Sequence, residues 1–222
     1  RTLNVKQVYK GGKLVAENGK MLHQKEKNTD WSTEIKERVF HSFHRVPITV
    51  EELQLKETTG THQRVIDMVA HELITKERIE EWKELPGVAP GVDISRDIVK
   101  LAAIERHKNT GHVGLGFLGK YGLKKGAVAT SIGHDSHNLV IAGVTDEDMV
   151  LAGNRVIENG GGLAIALEGK VLADLPLPIG GLMADEPVEV VDEKLEHMKK
   201  LSVELGISED IDAFMTLAFI SL

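Results

Sequence analysis

The sequence has 222 residues, 41% hydrophobic and 27% charged, values that allow one large domain or a domain with a fragment of a second. Its 27 Lys and Arg against 34 Asp and Glu leave a net charge of −7 with no basic tract, which excludes a general binder of nucleic-acid backbones. The lack of cysteine excludes disulfides and thiolate metal sites and suits a cytoplasmic protein, and no apolar run reaches the length of a membrane span.

Gly11-Gly12 and Asn18-Gly19 punctuate short segments carrying Val5, Val8, Leu14, Val15 and Met21. Asn-Gly is a strong hairpin signal, because both central positions of a type I′ turn need positive φ. Residues 1–22 therefore read as a β-meander that completes a sheet with strands outside this sequence. Residues 23–45 read as a linker, polar throughout Lys25 to Asp30, in which His41 and His44 are expected to be solvated or hydrogen-bonded and not to ligate. A second domain is expected over residues 46–222. Pro47 precedes an extended-looking Ile48-Thr49-Val50. The stretch from Thr61 to Trp82 fits a strand at Val65, Ile66, Met68 and Val69 or a helix starting near Thr75, and Pro86-Gly87 ends it. Asp97 to His107, with Ile98, Val99, Leu101 and Ile104, fits a buried strand or one short helix.

Gly114, Gly116 and Gly119 match the G-x-G-x-x-G pattern of a dinucleotide loop, with Asp135 at the distance of a ribose-binding acid. The match fails on context, because Gly122 and Gly126 break the segment where the crossover helix would have to run.

From Gly126 to Val144, two runs of Val, Ile and Ala, each about as long as one buried strand, flank the polar residues His134, Asp135, Ser136, His137 and Asn138. The polar run reads as a turn. It offers a general base, a carboxylate to orient it and several hydrogen-bonding groups. Asp, Ser and Asn are also ordinary turn residues. As a metal site, two His and one Asp would need help from elsewhere in the fold.

Thr145, with Asp148 three residues on and acidic Asp146 and Glu147 between, opens a helix that Gly160 closes. Met149, Ala152, Val156 and Ile157 form its apolar stripe. Gly160 to Gly162 lead into the alternating Leu163, Ile165 and Leu167, Glu168-Gly169 reverses the chain into Val171, and Leu175 to Pro178 is extended. Asp192 is expected to cap a last helix carrying Leu195, Met198, Ser202 and Leu205, with Gly206 as its stop. The chain begins at Arg1 and stops inside the apolar run 214–222, so it is expected to be a piece of a longer protein. Strands with interspersed helices on short connections give an α/β or α+β domain.

Together, Gly126-Ala127-Val128-Ala129, Ser131, the run His134 to Asn138, Gly143, Asp146-Glu147-Asp148-Met149, Gly160 to Gly162, Gly169-Lys170-Val171-Leu172 and Leu175 to Met183 resemble adenine deaminase of the amidohydrolase superfamily. The likeness covers most of residues 90–222, and Val5 to Met21 looks like the last strands of the small β-sandwich that flanks the barrel in amidohydrolases. The resemblance implies an enzyme that hydrolyses adenine to hypoxanthine and ammonia on a (β/α)₈ barrel, where a divalent metal, Mn or Fe, activates a water. The two histidines one residue apart that mark the start of such a barrel occur nowhere here; His41/His44 and His134/His137 come nearest. A barrel needs about 250 residues and is not in this chain. No catalytic residue and no metal ligand is therefore carried onto it, and it is expected to hold no metal and to be inactive alone. His134, Asp135, Ser136, His137 and Asn138 are expected to bind substrate at the barrel mouth. The expected partners are adenine and the enzyme's own N-terminal barrel domain, without nucleic acid or membrane. The rival readings are a non-catalytic module that holds a homo-oligomer together, and an independent small-molecule or metal-binding domain that uses the His134 to Asn138 turn.

Overall fold

In the computed structural model, which describes residues 4–22, 31–55, 60–69 and 72–220, the chain reverses at Gly11-Gly12 and again at Asn18-Gly19, all four at positive φ. These reversals produce the expected meander: β1 (Gln7–Lys10), β2 (Lys13–Glu17) and β3 (Lys20–Met21) form an antiparallel sheet. It belongs to a first unit, residues 1–35, and residues 36–222 form a second.

Of the stretch read as a linker, residues 23–30 lie outside the described residues, and the rest contains helix α1 (Thr33–Phe40). The helical spacing puts Glu37 Oε2 2.6 Å from His41 Nδ1, a pairing invisible while the stretch is read as irregular. The expected extended segment at Ile48-Thr49-Val50 gives way to a short helix, α2 (Val50–Leu53). Glu52 accepts from Thr49 N at 3.0 Å, half of a Thr-x-x-Glu capping box that overrides the strand preference of the β-branched residues.

The second unit is built on eight strands: β4 (His62–Met68), β5 (Thr75–Glu81), β6 (Ile98–Ile104), β7 (Val113–Gly119), β8 (Ala127–Thr130), β9 (Leu139–Gly143), β10 (Gly162–Leu167) and β11 (Lys170–Pro176). Their order is β11-β10-β8-β9-β6-β7-β4-β5, antiparallel at every junction except the parallel β4–β7 pair. The helix option near Thr75 is wrong. Residues 75–81 pair along β4 from Met68↔Thr75 to His62↔Glu81, and Arg64–Glu77 and Arg78–Asp67 ion pairs cross the two strands. A charged outermost strand is how sheets protect an open edge. Gly114, Gly116 and Gly119 lie within strand β7 and open no helix. Gly119 is required by packing, since a Cβ there would lie 2.1 Å from Asp67 Oδ1.

Both faces of the central strands are covered. Ala127, Ala129, Leu139, Ile141, Ala102 and Ile104 pack with Met149, Ala152 and Val156 of α3 (Asp146–Glu158). Val128, Val140, Ala142, Val99 and Leu101 share the other core with Met198 of α4 (Val188–Glu204) and Phe214 and Leu217 of α5 (Ala213–Phe219). Strands buried on two faces read as continuous apolar runs, which is why β8 and β9 stood out. Each fully buried Ile, Leu or Val contributes about 1.5–3 kcal/mol.

Helix α3 starts as expected, with Thr145 Oγ1 accepting from Asp148 N at 3.3 Å. Helix α4 does not start at Asp192. It begins at Val188, behind Pro187 whose φ of −56° is already preset, with Glu189 at the positive end; Asp192 lies inside it. Nor is it the last helix. Asp212 accepts from Phe214 N and Met215 N to start α5 in the terminal apolar run, of which 221–222 lie outside the described residues. The architecture is α+β, a small sheet followed by a mixed eight-stranded sheet with helices, and no described helix is long and apolar enough to cross a membrane.

Candidate functional site

Thr130↔Val140 is the last pair between β8 and β9, and the chain from Ser131 to Asn138 joins them. Asp135 (φ 60°) and His137 (φ 49°) both adopt left-handed backbone, uncommon for residues with a Cβ but best tolerated by Asn, Asp and His. Ser136 N donates to His134 O at 2.8 Å and His137 N to Gly133 O at 2.7 Å. A Cβ at Gly133 would lie 3.0 Å from Asn138 O, so the turn is tight at this position.

The backbone of this turn is tied from two sides. On one, His134 N donates to Ala218 O of α5, and the His134 ring stacks on Phe219 at 4.8 Å and 25°. On the other stand Arg106 and His107, just beyond β6. The antiparallel register that ends at Ile104↔Leu139, carried two residues further, brings Arg106 to His137, and one more brings His107 to Ser136. Arg106 Nε donates to His137 O, and His107 Nε2 donates to Ser136 O at 2.8 Å. His44 Nδ1 in turn donates to His107 O at 2.7 Å, so His44, like His41, is hydrogen-bonded as expected. The loop carrying Arg106 and His107 folds around the Glu105 carboxylate, which accepts from the amides of Thr110, Lys108 and His107 and from the Thr110 hydroxyl. Those bonds, the Thr110 amide foremost, hold its pKa down from the usual 4.5 to about 2.

Arg106 is only 1% exposed. Its Nη2 donates to Gly180 O at 3.2 Å, its Cζ lies 4.8 Å from the centroid of the Phe43 ring, and its Nη1 is buried without a hydrogen-bond partner. Among the described residues no carboxylate forms an ion pair with it. Burial pushes its pKa down to about 10. An unmade hydrogen bond of this kind costs about 1–3 kcal/mol, so the contacts with two carbonyls and a ring are made against a penalty.

The structure brings all five expected residues together on this one turn. The His134 side chain is 50% exposed and its Nδ1 lies 3.2 Å from Asp135 Oδ1, whose side chain is 80% exposed. Ser136 is exposed, and His137 and Asn138 are half-buried. Within the described structure the His137 ring and the Asn138 side-chain amide form no hydrogen bond. A groove of about 310 Å³ between the β4–β5 hairpin and α5 approaches the turn at Phe219. The Mn or Fe ion implied by the resemblance finds no fit here, since among the described residues no group of three or more His, Asp or Glu side chains could hold it. Sequence reasoning misses Arg106 and His107, because 97–107 shows itself by its apolar pattern, and misses the roles of Phe43 and Gly180, which meet Arg106 only in the fold. The signal available is three polar residues, Glu105, Arg106 and His107, directly after a buried strand at the end of the sheet where the turn lies.

These elements define an α+β domain that presents a backbone-fixed polar turn at one end of its large sheet. A family model described as the adenine deaminase C-terminal domain matches residues 72–222, and the chain belongs to that family. Adenine deaminase 2 of Carboxydothermus hydrogenoformans is 42% identical over 218 residues, covering 98% of this chain and 37% of that protein. An adenine deaminase of Lysinibacillus sphaericus is 38% identical over 222 residues (100% and 37%), and one of Kosmotoga olearia is 42% identical over 218 (98% and 36%). The chain thus spans 36–37% of the length of these relatives.

Proposed function

We propose that this chain is the C-terminal part of an adenine deaminase, which hydrolyses adenine to hypoxanthine and ammonia, and that its turn from His134 to Asn138 contributes to the substrate pocket. The names and coverage of the relatives support the first part. The hydrolytic centre and its divalent metal are assigned to a barrel outside this chain, and adenine and that barrel are the partners of the turn. One observation carries the pocket reading: the turn's backbone is fixed by Arg106, His107 and α5 while the side chains of His137 and Asn138 make no hydrogen bond within the described residues. Fixed backbone with free polar groups is what a pre-organised binding site needs. The Asn138 amide has both a donor and an acceptor for a purine edge, and Asp135 lies where it orients the His134 ring.

The stacking of His134 on Phe219 favours a second reading, a turn that serves only to dock α5. The two separate in the full-length enzyme. His134→Ala and His137→Ala are each expected to lower kcat/KM for adenine at least about tenfold, about 1.4 kcal/mol of transition-state stabilisation, with metal content unchanged. A docking turn gives a lower Tm with near-normal kinetics, and lost metal points to ligation. Normal kcat/KM in both variants overturns the pocket reading.

A further inference from the structure

Arg106 touches two loops, and only one of them is the turn. While Nε donates to His137 O, Nη2 donates to Gly180 O in a tight loop closed by Leu182 N and Met183 N donating to Ile179 O, each at 3.1 Å. Gly180 (φ 68°) and Gly181 (φ 73°) form its tip. Gly181 packs flat on the guanidinium, so a Cβ there would lie 2.6 Å from Nη1, 2.8 Å from Cζ and 2.9 Å from Nη2. A second tie runs through Ser131 at the start of the turn: its Oγ donates to Gly181 O at 2.6 Å and accepts from Gly162 N at 2.7 Å.

A planar cation with fixed, diverging donors, in contact with both Gly181 and the Phe43 ring, cannot follow one loop without pulling on the other. A lysine ammonium on a flexible stem would lack that property. We propose that Arg106 is a positioning residue that couples the Ile179–Met183 loop to the His134–Asn138 turn, so that the functional site includes both loops and a shift in one reaches the other. The proposal rests on the reading of the turn as part of the substrate pocket.

Hydrogen exchange in the full-length enzyme without adenine tests it, using Arg106→Lys and Gly181→Ala. The probes are the hydrogen-bonded amides of Ser136 and His137 in the turn and of Leu182 and Met183 in the loop, with β6 and β9 as reference. Both variants are expected to speed exchange in both loops at least about tenfold while the reference strands stay within about twofold of the parent. Gly181→Ala is the sharper arm, because the substitution lies in one loop and the readout in the other. Faster exchange confined to one of the two loops, unchanged exchange, or faster exchange throughout the sheet overturns the coupling. Measuring kcat/KM on the same samples keeps the two ideas apart. Loosened loops with normal kcat/KM leave the coupling standing and contradict the pocket reading, whereas lower kcat/KM without loosening contradicts the coupling.

Discussion

The Glu105 carboxylate stands at the root of the loop that holds the turn, and the amides of Thr110, Lys108 and His107 all donate to it. These bonds favour its charged form, so its folded pKa of about 2 lies below the usual 4.5. A carboxylate with a depressed folded pKa stabilises the fold above its unfolded value, and that contribution is lost as pH falls through the folded one. The loop is therefore expected to hold at neutral pH and to loosen as pH drops from 4.5 toward 2. A carbon NMR titration should place the Glu105 midpoint near 2, with the Thr110 amide shifting in step. A midpoint at the ordinary 4.5 would remove Glu105 from this role. Because the next two residues bind the turn, Glu105→Gln should also raise exchange at the Ser136 and His137 amides at neutral pH.

Among the elements, β6 carries a charge in its middle. Lys100 is 1% exposed, and its ammonium lies 2.7 Å from Asp146 Oδ1, in the first residue of α3. Removing one partner of a buried pair leaves the other charge without compensation, which costs about 3–5 kcal/mol. Lys100→Met is expected to destabilise the protein by about that much in urea unfolding, and adding Asp146→Asn to it should recover part of the loss. A cost for Lys100→Met below about 1 kcal/mol would mean that the pair does not dock α3 on the sheet. Strands β8 and β9 and the start of α3 were legible in the sequence because their signals are local: apolar runs buried on two faces, and a Thr145 cap. Strand β5 was not, since Lys76, Glu77 and Arg78 favour a helix by themselves and only pairing with β4 makes them a strand. Helix α4 was misplaced because Asp192 is a good capping residue, yet Pro187 had already started the helix. The same division holds at the site. The turn is five adjacent polar residues and shows in the sequence, whereas Arg106 and His137 are joined only by the register of β6 on β9.

For the whole molecule, a domain of the adenine deaminase family spans 36–37% of relatives that bear that enzyme's name. On the proposed reading, the hydrolytic centre lies in the remaining length and this chain completes the pocket. Ammonia release from adenine, measured side by side for the purified 222-residue chain and the full-length protein with Mn²⁺ or Fe²⁺, tests that assignment most directly. Turnover is expected from the full-length protein, and none above buffer from the chain alone. Turnover by the isolated chain, or none by the full-length protein, would contradict that assignment.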